Sequence, residues 1–367
     1  LGPLAGTMLL VLVLPPLAAA LEVLGWAGIV AGVIQRARLS VRTEVLAAYG
    51  LWTVVSATLT LDVAAVVAVP VGLRLAARRG REAAASQVFG AILGANVGSL
   101  LFPFSNLTNL VLVAATGTTF AAYVGAAWWP QVLAIAGTAL LLAVRARATV
   151  QDEPLKDFPE DARAALDRSD APRWTLLGGL AAAAGAVAAI IVGLAGGDVA
   201  VVFAVTAAVV VTSAVASGRP GVGASDVLRS IPPVAVAVVL FAAVAVGPAS
   251  GLASLFPSPQ ASLSPIMALP LIALIGGALA ATVNNLPAAA FGAIWLHGAS
   301  PDAVVAYLIG TNLLAIATPH GSVATMLVRR LASRGGFETS ALEHLTTAWL
   351  PTLAAGGPAI LALLIVH

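Results

Sequence analysis

Two segments of this chain, residues 94–113 (GANVGSLLFPFSNLTNLVLV) and 310–328 (GTNLLAIATPHGSVATMLV), share one pattern and begin 216 positions apart. Each is apolar, then polar around a proline (Pro103 or Pro319), and then apolar again. This pattern is typical of a membrane helix that is interrupted near the middle of the bilayer. A duplicated, interrupted helix favours a secondary transporter, because such helices form the solute sites of several transporter folds.

The composition places the chain in a membrane. Of its 367 residues, 60% are hydrophobic and 9% charged, and the mean hydropathy is +1.01, which is more apolar surface than one soluble core can cover. The formal charge of +2 comes from short basic clusters between apolar stretches, so no nucleic-acid partner is indicated. The absence of cysteine excludes thiolate metal sites and cysteine nucleophiles. The chain opens at Leu1, without an initiator methionine, and is compatible with further spans upstream.

Six apolar runs are long enough, at about 20 residues each, to span a bilayer. They lie near residues 4–20, 120–144, 174–196, 199–217, 230–252 and 345–366. Four further apolar stretches have polar residues at their centres. We interpret 43–71 and 265–300 as re-entrant hairpins, and 84–116 and 303–328 as interrupted helices.

The basic residues indicate how these segments are threaded. If the stretch 43–71 is re-entrant, all eighteen Lys and Arg residues fall on the cytoplasmic side, as the positive-inside rule requires. If it were a full span, the basic clusters that flank it would lie on opposite faces. The two halves then have opposite orientations, and the C-terminus is extracytoplasmic. We therefore predict an all-α polytopic membrane protein with two inverted-topology repeats.

This threading also divides the chain into regions. We expect a scaffold span with a cytoplasmic interfacial helix (1–42), the transport region of repeat 1 (43–116), a span with a cytoplasmic linker loop (117–173), scaffold spans of repeat 2 (174–264), the transport region of repeat 2 (265–333) and a last span (334–367).

The four breaks are expected to supply one polar site, because non-helical backbone at membrane depth survives only where it lines a cavity or is buried in protein. The side chains at these breaks are mostly hydroxyls and amides. The first repeat contributes Thr58, Thr60, Asp62, Asn96, Ser99, Ser105, Asn106, Thr108 and Asn109, and the second contributes Thr282, Asn284, Asn285, Thr311, Asn312, Thr318, His320, Ser322 and Thr325.

Asp62 differs from the other acidic residues, because it alone is placed at mid-membrane by this threading, with no Lys or Arg at a comparable depth. Burial in a medium of low dielectric constant favours the neutral acid, so we predict that Asp62 carries the coupling proton. A permanently protonated structural residue and a sodium ligand are the alternatives. His320 has Phe104 as its counterpart, and either binds substrate, titrates or hydrogen-bonds a freed carbonyl. His344 is at a predicted helix end and is assigned no function.

The absence of known catalytic motifs argues against an enzyme. The chain has no HExxH, no GxSxG and no cysteine, so we predict a protein without catalytic activity and without a bound metal or cofactor. A channel could also use broken helices, but the inverted repeat favours alternating access.

The motifs SNLTNL (105–110), TVNNLP (282–287) and TPHGSVATML (318–327) resemble the ArsB-type arsenite efflux permeases of the ion-transporter superfamily. Relatives include sodium/proton antiporters and sodium-coupled carboxylate transporters, which we keep as alternatives. The resemblance implies proton-coupled export of arsenite or antimonite across the cytoplasmic membrane of a prokaryote, with Na⁺ as the alternative coupling ion. It also implies an elevator mechanism, in which a transport domain moves against a scaffold. It allows a homodimer and a cytoplasmic ATPase subunit as partners.

The family's functional positions can be carried over residue by residue. The resemblance implies roles for Asp62, Ser105, Asn106, Asn109, Asn284, Asn285, Thr318, Gly321 and Ser322. The chain departs from the family at other positions. Leu61 replaces the Asn that usually precedes the hairpin Asp, Asn96 and Asn312 stand where carboxylates are common, and Ile316 stands where a Lys is common.

Overall fold

The computed structural model describes residues 3–77, 80–146, 173–218 and 263–366. The described residues contain helices and no strand, so the predicted all-α architecture is confirmed. The helices in chain order are α1 (Pro3–Val23), α2 (Trp26–Arg36), α3 (Val41–Thr58), α4 (Leu61–Ala76), α5 (Arg81–Gly98), α6 (Leu107–Thr116), α7 (Phe120–Arg145), α8 (Arg173–Leu194), α9 (Val199–Ala216), α10 (Pro265–Val283), α11 (Asn285–Trp295), α12 (Pro301–Leu308), α13 (Val323–Arg334) and α14 (Ala341–Val366).

Six of these helices are long and apolar enough to cross a membrane, namely α1, α7, α8, α9, α10 and α14. Five of them coincide with predicted spans. The sixth, α10, is the first limb of the second predicted hairpin, so the orientation of that hairpin in the bilayer stays a prediction. The predicted span 230–252 and most of the predicted linker loop lie outside the described residues. The chain is a multi-pass membrane protein.

The outer surface of the bundle is suited to lipid. Large apolar side chains point outward from α8 and α9, and Leu180 and Val205 are 68% and 61% exposed. These two helices approach closely at Gly185, since this glycine has no Cβ. An added Cβ would collide with the side chain of Thr206. Small residues at the interface are how membrane helices approach one another when water does not drive their association.

Each predicted hairpin consists of two packed helices that are separated by a short break. Helix α3 packs against α4 across the break at Leu59 and Thr60, and α10 packs against α11 across Asn284. The Thr60 hydroxyl accepts a hydrogen bond from the Val63 amide at 3.2 Å, and so caps α4. Asn284 caps α11 by accepting from the Leu286 amide at 3.1 Å.

The two interrupted helices are broken in different ways. After α5, the chain is irregular from residue 99 to residue 106 except for one 3-10 turn (Pro103–Ser105). After α12, it continues through a π-helical turn (Ile309–Leu313) and a 3-10 turn (Leu314–Ala317), and residues 318–322 are irregular. Pro103 and Pro319 lie within these two non-α-helical stretches, so both breaks contain the positions that the sequence indicates.

Candidate functional site

The interrupted helix of the first repeat meets that of the second at Asn96. The Asn96 amide nitrogen lies 3.5 Å from the Thr325 hydroxyl, and the Ser322 hydroxyl donates to the Asn96 side-chain oxygen at 2.5 Å. All three side chains are fully buried. These bonds hold the C-terminal end of α5 against the N-terminal end of α13.

A second contact of the same kind forms at Asn312 in the π-helical turn. Its side-chain oxygen accepts from the Thr108 hydroxyl at 2.8 Å, and its amide nitrogen donates to the Asn109 side-chain oxygen at 2.8 Å. Asn109 in turn donates to the carbonyl oxygens of Ser99 and Phe102, at 2.7 and 3.1 Å. The second half-helix of each repeat is therefore bound to the first half-helix of the other.

A cavity of about 90 Å³ lies beside this network, with room for several water molecules at about 10–15 Å³ each. The N-terminal ends of four helices line it, and each of these ends follows one of the four breaks. The lining residues from these ends are Thr60, Leu61 and Asp62 of α4, Ser105, Asn106 and Leu107 at α6, Asn285 and Leu286 of α11, and Val323 of α13.

These helix ends set the electrostatics of the cavity. A helix N-terminus carries a partial positive charge and unpaired amide hydrogens, so it favours oxygen atoms that bear negative charge. None of the described residues that line the cavity is Lys, Arg or His. Among the described residues, Asp62 is the only ionisable side chain of the lining, and its carboxylate makes no hydrogen bond or ion pair. The carboxylate is thus available to a proton, a cation or a hydroxyl-bearing solute.

Asn285 supplies a hydrogen-bond donor to the same cavity. Its side chain is 1% exposed, and its oxygen accepts from the Val323 amide at 3.2 Å. Its amide nitrogen has no partner among the described residues. A buried donor without a partner costs about 1–3 kcal/mol, so a ligand that accepts this hydrogen bond would recover that cost.

Asn284, the residue before it, has a strained backbone. Its φ of 85° with ψ of 155° belongs to a region that is close to glycine-only. The side chain holds this geometry, because its amide nitrogen donates to the His320 carbonyl oxygen at 2.6 Å while its oxygen caps α11. This contact ties the tip of the second hairpin to the second break.

The structure places the predicted site residues in three groups. Asp62, Ser105, Asn106 and Asn285 line the cavity. The buried network beside it contains Asn96, Thr108, Asn109, Asn312 and Ser322. At the second break, Thr318 donates to the Ala281 carbonyl oxygen, Gly321 is buried, and the His320 side chain is exposed and is not among the residues that line the cavity. A ligand role for His320 stays a prediction.

Two features of the site were not predicted from the sequence. Val11, Leu14 and Pro15 of α1 form an apolar wall of the cavity, and the Pro15–Pro16 pair inside a predicted span is the sequence signal that could have drawn attention to it. His344 is buried, and its Nε2 lies 2.9 Å from the carbonyl oxygen of Ile316. That carbonyl is in the 3-10 turn before the second break.

Comparison with known proteins identifies the fold. No family model matches the chain, and no curated protein matches it. Among solved structures, the crystal structure of the Alcanivorax borkumensis YdaH transporter, which has an unusual topology, is similar to it with a TM-score of 0.62. The match has 16% sequence identity and covers 100% of this chain and 85% of that one. The chain has the fold of a membrane transporter. The resemblance to the ArsB type stays a prediction.

Proposed function

We propose that this protein is a secondary active transporter that binds a small, oxygen-rich solute in the Asp62 cavity. The observation that carries the proposal is the convergence of four helix N-termini on a cavity where, within the described part of the chain, the only ionisable side chain is a carboxylate without a partner. Broken helices whose ends meet at one point are the common construction of solute sites in secondary transporters.

The proposed substrate is arsenite or antimonite, exported across a prokaryotic cytoplasmic membrane. Undissociated arsenous acid is a small neutral triol, whose hydroxyls could donate to Asp62 and accept from the free amide of Asn285. A dianion is less suited to this cavity, because none of the described lining residues is cationic. The cavity volume of about 90 Å³ also favours a small solute.

The proposed coupling ion is a proton that Asp62 takes up and releases during the cycle. An intramembrane carboxylate without a basic partner is the usual form of a proton relay in transporters. The second candidate function is a sodium/proton antiporter, which the same observation favours, because an unpaired carboxylate beside the Thr60 hydroxyl could also hold Na⁺.

The proposed mechanism is an elevator. In it, the two hairpins and the two interrupted helices move together, and α1, α8 and α9 remain as scaffold. The position of the cavity supports this division, since Val11 and Leu14 of α1 form one wall and the breaks form the other. Movement of the polar wall past α1 would expose the bound solute to the opposite side.

The test is transport in proteoliposomes under an imposed pH gradient, with arsenite, sodium and citrate supplied in separate assays. We expect arsenite movement that depends on the gradient and is lost in Asp62→Asn, which keeps the side-chain size. Glu82→Gln, at an exposed position in the first turn of α5, should transport at the wild-type rate. Gradient-driven sodium movement without arsenite transport would favour the antiporter. Arsenite transport at the wild-type rate by Asp62→Asn would refute the assigned role of Asp62.

A further inference from the structure

A second cavity, of about 150 Å³, lies between α3, α5, α7 and α14. Arg145, in the last turn of α7, and Glu343, in the first turn of α14, line its charged part. Val45, Leu93 and Leu142 line its apolar part. The charge distribution of the sequence assigns this end of the bundle to the cytoplasmic face of the membrane.

The charges around this cavity are unequal. Arg145 is half-buried and has no carboxylate partner among the described residues; its guanidinium donates to the Thr347 carbonyl oxygen at 3.4 Å, which leaves other N–H groups available. Glu343, in contrast, lies 4.0 Å from Arg81 and interacts electrostatically with Arg329. Glu343 therefore has cationic neighbours of its own, whereas Arg145 has no carboxylate partner among the described residues.

A free hydroxyl adds to this site. Ser86 of α5 lines the same cavity, and its side chain makes no hydrogen bond among the described residues. An arginine fork together with a hydroxyl donor suits the oxygens of a phosphate group. Basic pockets between membrane helices on the cytoplasmic side are recognised sites for anionic lipid headgroups.

The surroundings favour a lipid over a free phosphate ion. Apart from its polar end, the cavity is walled by aliphatic and aromatic side chains, including Phe89. Val144 and Leu342, on the two helices that carry Arg145 and Glu343, are 58% and 70% exposed. On membrane helices such side chains face acyl chains. We propose that this cavity binds the headgroup of an anionic phospholipid, with its phosphate at Arg145 and Ser86 and its acyl chains along the outer faces of α7 and α14.

The experiment is native mass spectrometry of the full chain, purified with equal amounts of phosphatidylglycerol and phosphatidylcholine. We expect the wild-type protein to retain phosphatidylglycerol in preference. Arg145→Gln should weaken this retention by about tenfold, because a charge-assisted hydrogen-bond pair is lost. Arg330→Gln, at an exposed cation of α13 that does not line the cavity, is the matched control and should retain the lipid as the wild-type protein does.

Ser86→Ala is a milder variant, which keeps the test decisive if Arg145→Gln does not fold. It should lower retention by about threefold, since one neutral hydrogen bond is lost. Unchanged retention in both variants, equal loss in Arg330→Gln, or equal retention of the two lipids would overturn the proposal. Displacement of the lipid by inorganic phosphate alone would also overturn it, because the acyl chains would then contribute nothing.

Discussion

Asn312 donates a hydrogen bond to the side-chain oxygen of Asn109 at 2.8 Å, and a shift of 216 positions converts this pair into Thr325 and Asn96, which are also in contact. The first position of one repeat therefore contacts the second position of the other repeat, and the reverse contact is also made. The Asn312 side-chain oxygen also accepts a hydrogen bond from the Thr108 hydroxyl, and the Asn96 side-chain oxygen accepts one from the Ser322 hydroxyl. Reciprocal contacts of this kind are what two copies related by a two-fold axis produce, and they hold the two breaks together.

The network should be sensitive to the loss of Asn312. In Asn312→Leu the Thr108 hydroxyl and the Asn109 side-chain oxygen each lose a partner at 2.8 Å and keep only their mutual contact at 3.4 Å, although both groups stay buried. We expect a loss of about 2 kcal/mol in the free energy of unfolding, which thermal unfolding in detergent would detect. The control is Thr206→Val, which removes a hydroxyl whose one hydrogen bond within the described part of the chain goes to a carbonyl of its own helix. An equal effect of the two changes would contradict a special role for the network.

Gly310 should tolerate no side chain. It is the counterpart of Gly94, and both lie where the first limb of a hairpin crosses an interrupted helix. A Cβ at Gly94 would lie 2.6 Å from the Cβ of Trp52, and one at Gly310 would lie 2.6 Å from the Gly277 nitrogen and would collide with the Ala273 carbonyl oxygen. Backbone atoms cannot move aside as a flexible side chain can, so Gly310→Ala should cost about 1–3 kcal/mol or more.

The matched control for this change is Gly90→Ala in α5. A Cβ at Gly90 would meet nothing within 4 Å, and alanine is favoured over glycine inside a helix by about 0.5–1 kcal/mol. The two substitutions should therefore shift the melting temperature in opposite directions. A similar shift in both would show that the crossing at Gly310 is looser than the structure indicates.

Local sequence features predicted the breaks and their convergence on one site, but not the distant residues that pack around them. Pro103 and Pro319 interrupt apolar runs, and the effect of proline on a helix is local, so the positions of both breaks followed from the pattern. The wall that α1 contributes depends on how distant helices pack, and no local pattern contains that information. His344 illustrates the same limit, because its place at a predicted helix end gave no reason to assign it a role. It is buried through contacts with Phe89 and Ile316, which are far away in sequence.

His344 should stabilise the second break. Its Nε2 is 2.9 Å from the Ile316 carbonyl oxygen, and its ring stacks on Phe89 with 5.8 Å between the centroids. His344→Leu leaves this carbonyl without a donor in a buried place, so we expect a loss of about 1–3 kcal/mol in stability and slower transport. His297→Leu is the control, because His297 makes a similar bond to the Ala115 carbonyl oxygen at an exposed position, where water can replace it. An equally stable His344→Leu would contradict this role.

Asn285 offers the sharpest test of the cavity, because its two side-chain atoms have separate tasks. The oxygen accepts from the Val323 amide, and the nitrogen is the donor that has no partner in the described part of the chain. Asn285→Asp keeps the acceptor, removes the donor and adds a second carboxylate to the cavity that holds Asp62. We expect the solute to bind about tenfold more weakly, which corresponds to about 1.4 kcal/mol, with little change in melting temperature.

Asn285→Leu removes both the acceptor and the donor, so comparison with Asn285→Asp separates the two roles. It should weaken binding to a similar extent and also lower the melting temperature, since the Val323 amide at the start of α13 then loses its acceptor. Binding can be followed as protection of the protein against thermal unfolding by arsenite, citrate or sodium, each added alone. If Asn285→Asp binds the solute as tightly as the wild-type protein, the free amide is not a ligand, and the solute lies elsewhere among the four helix ends.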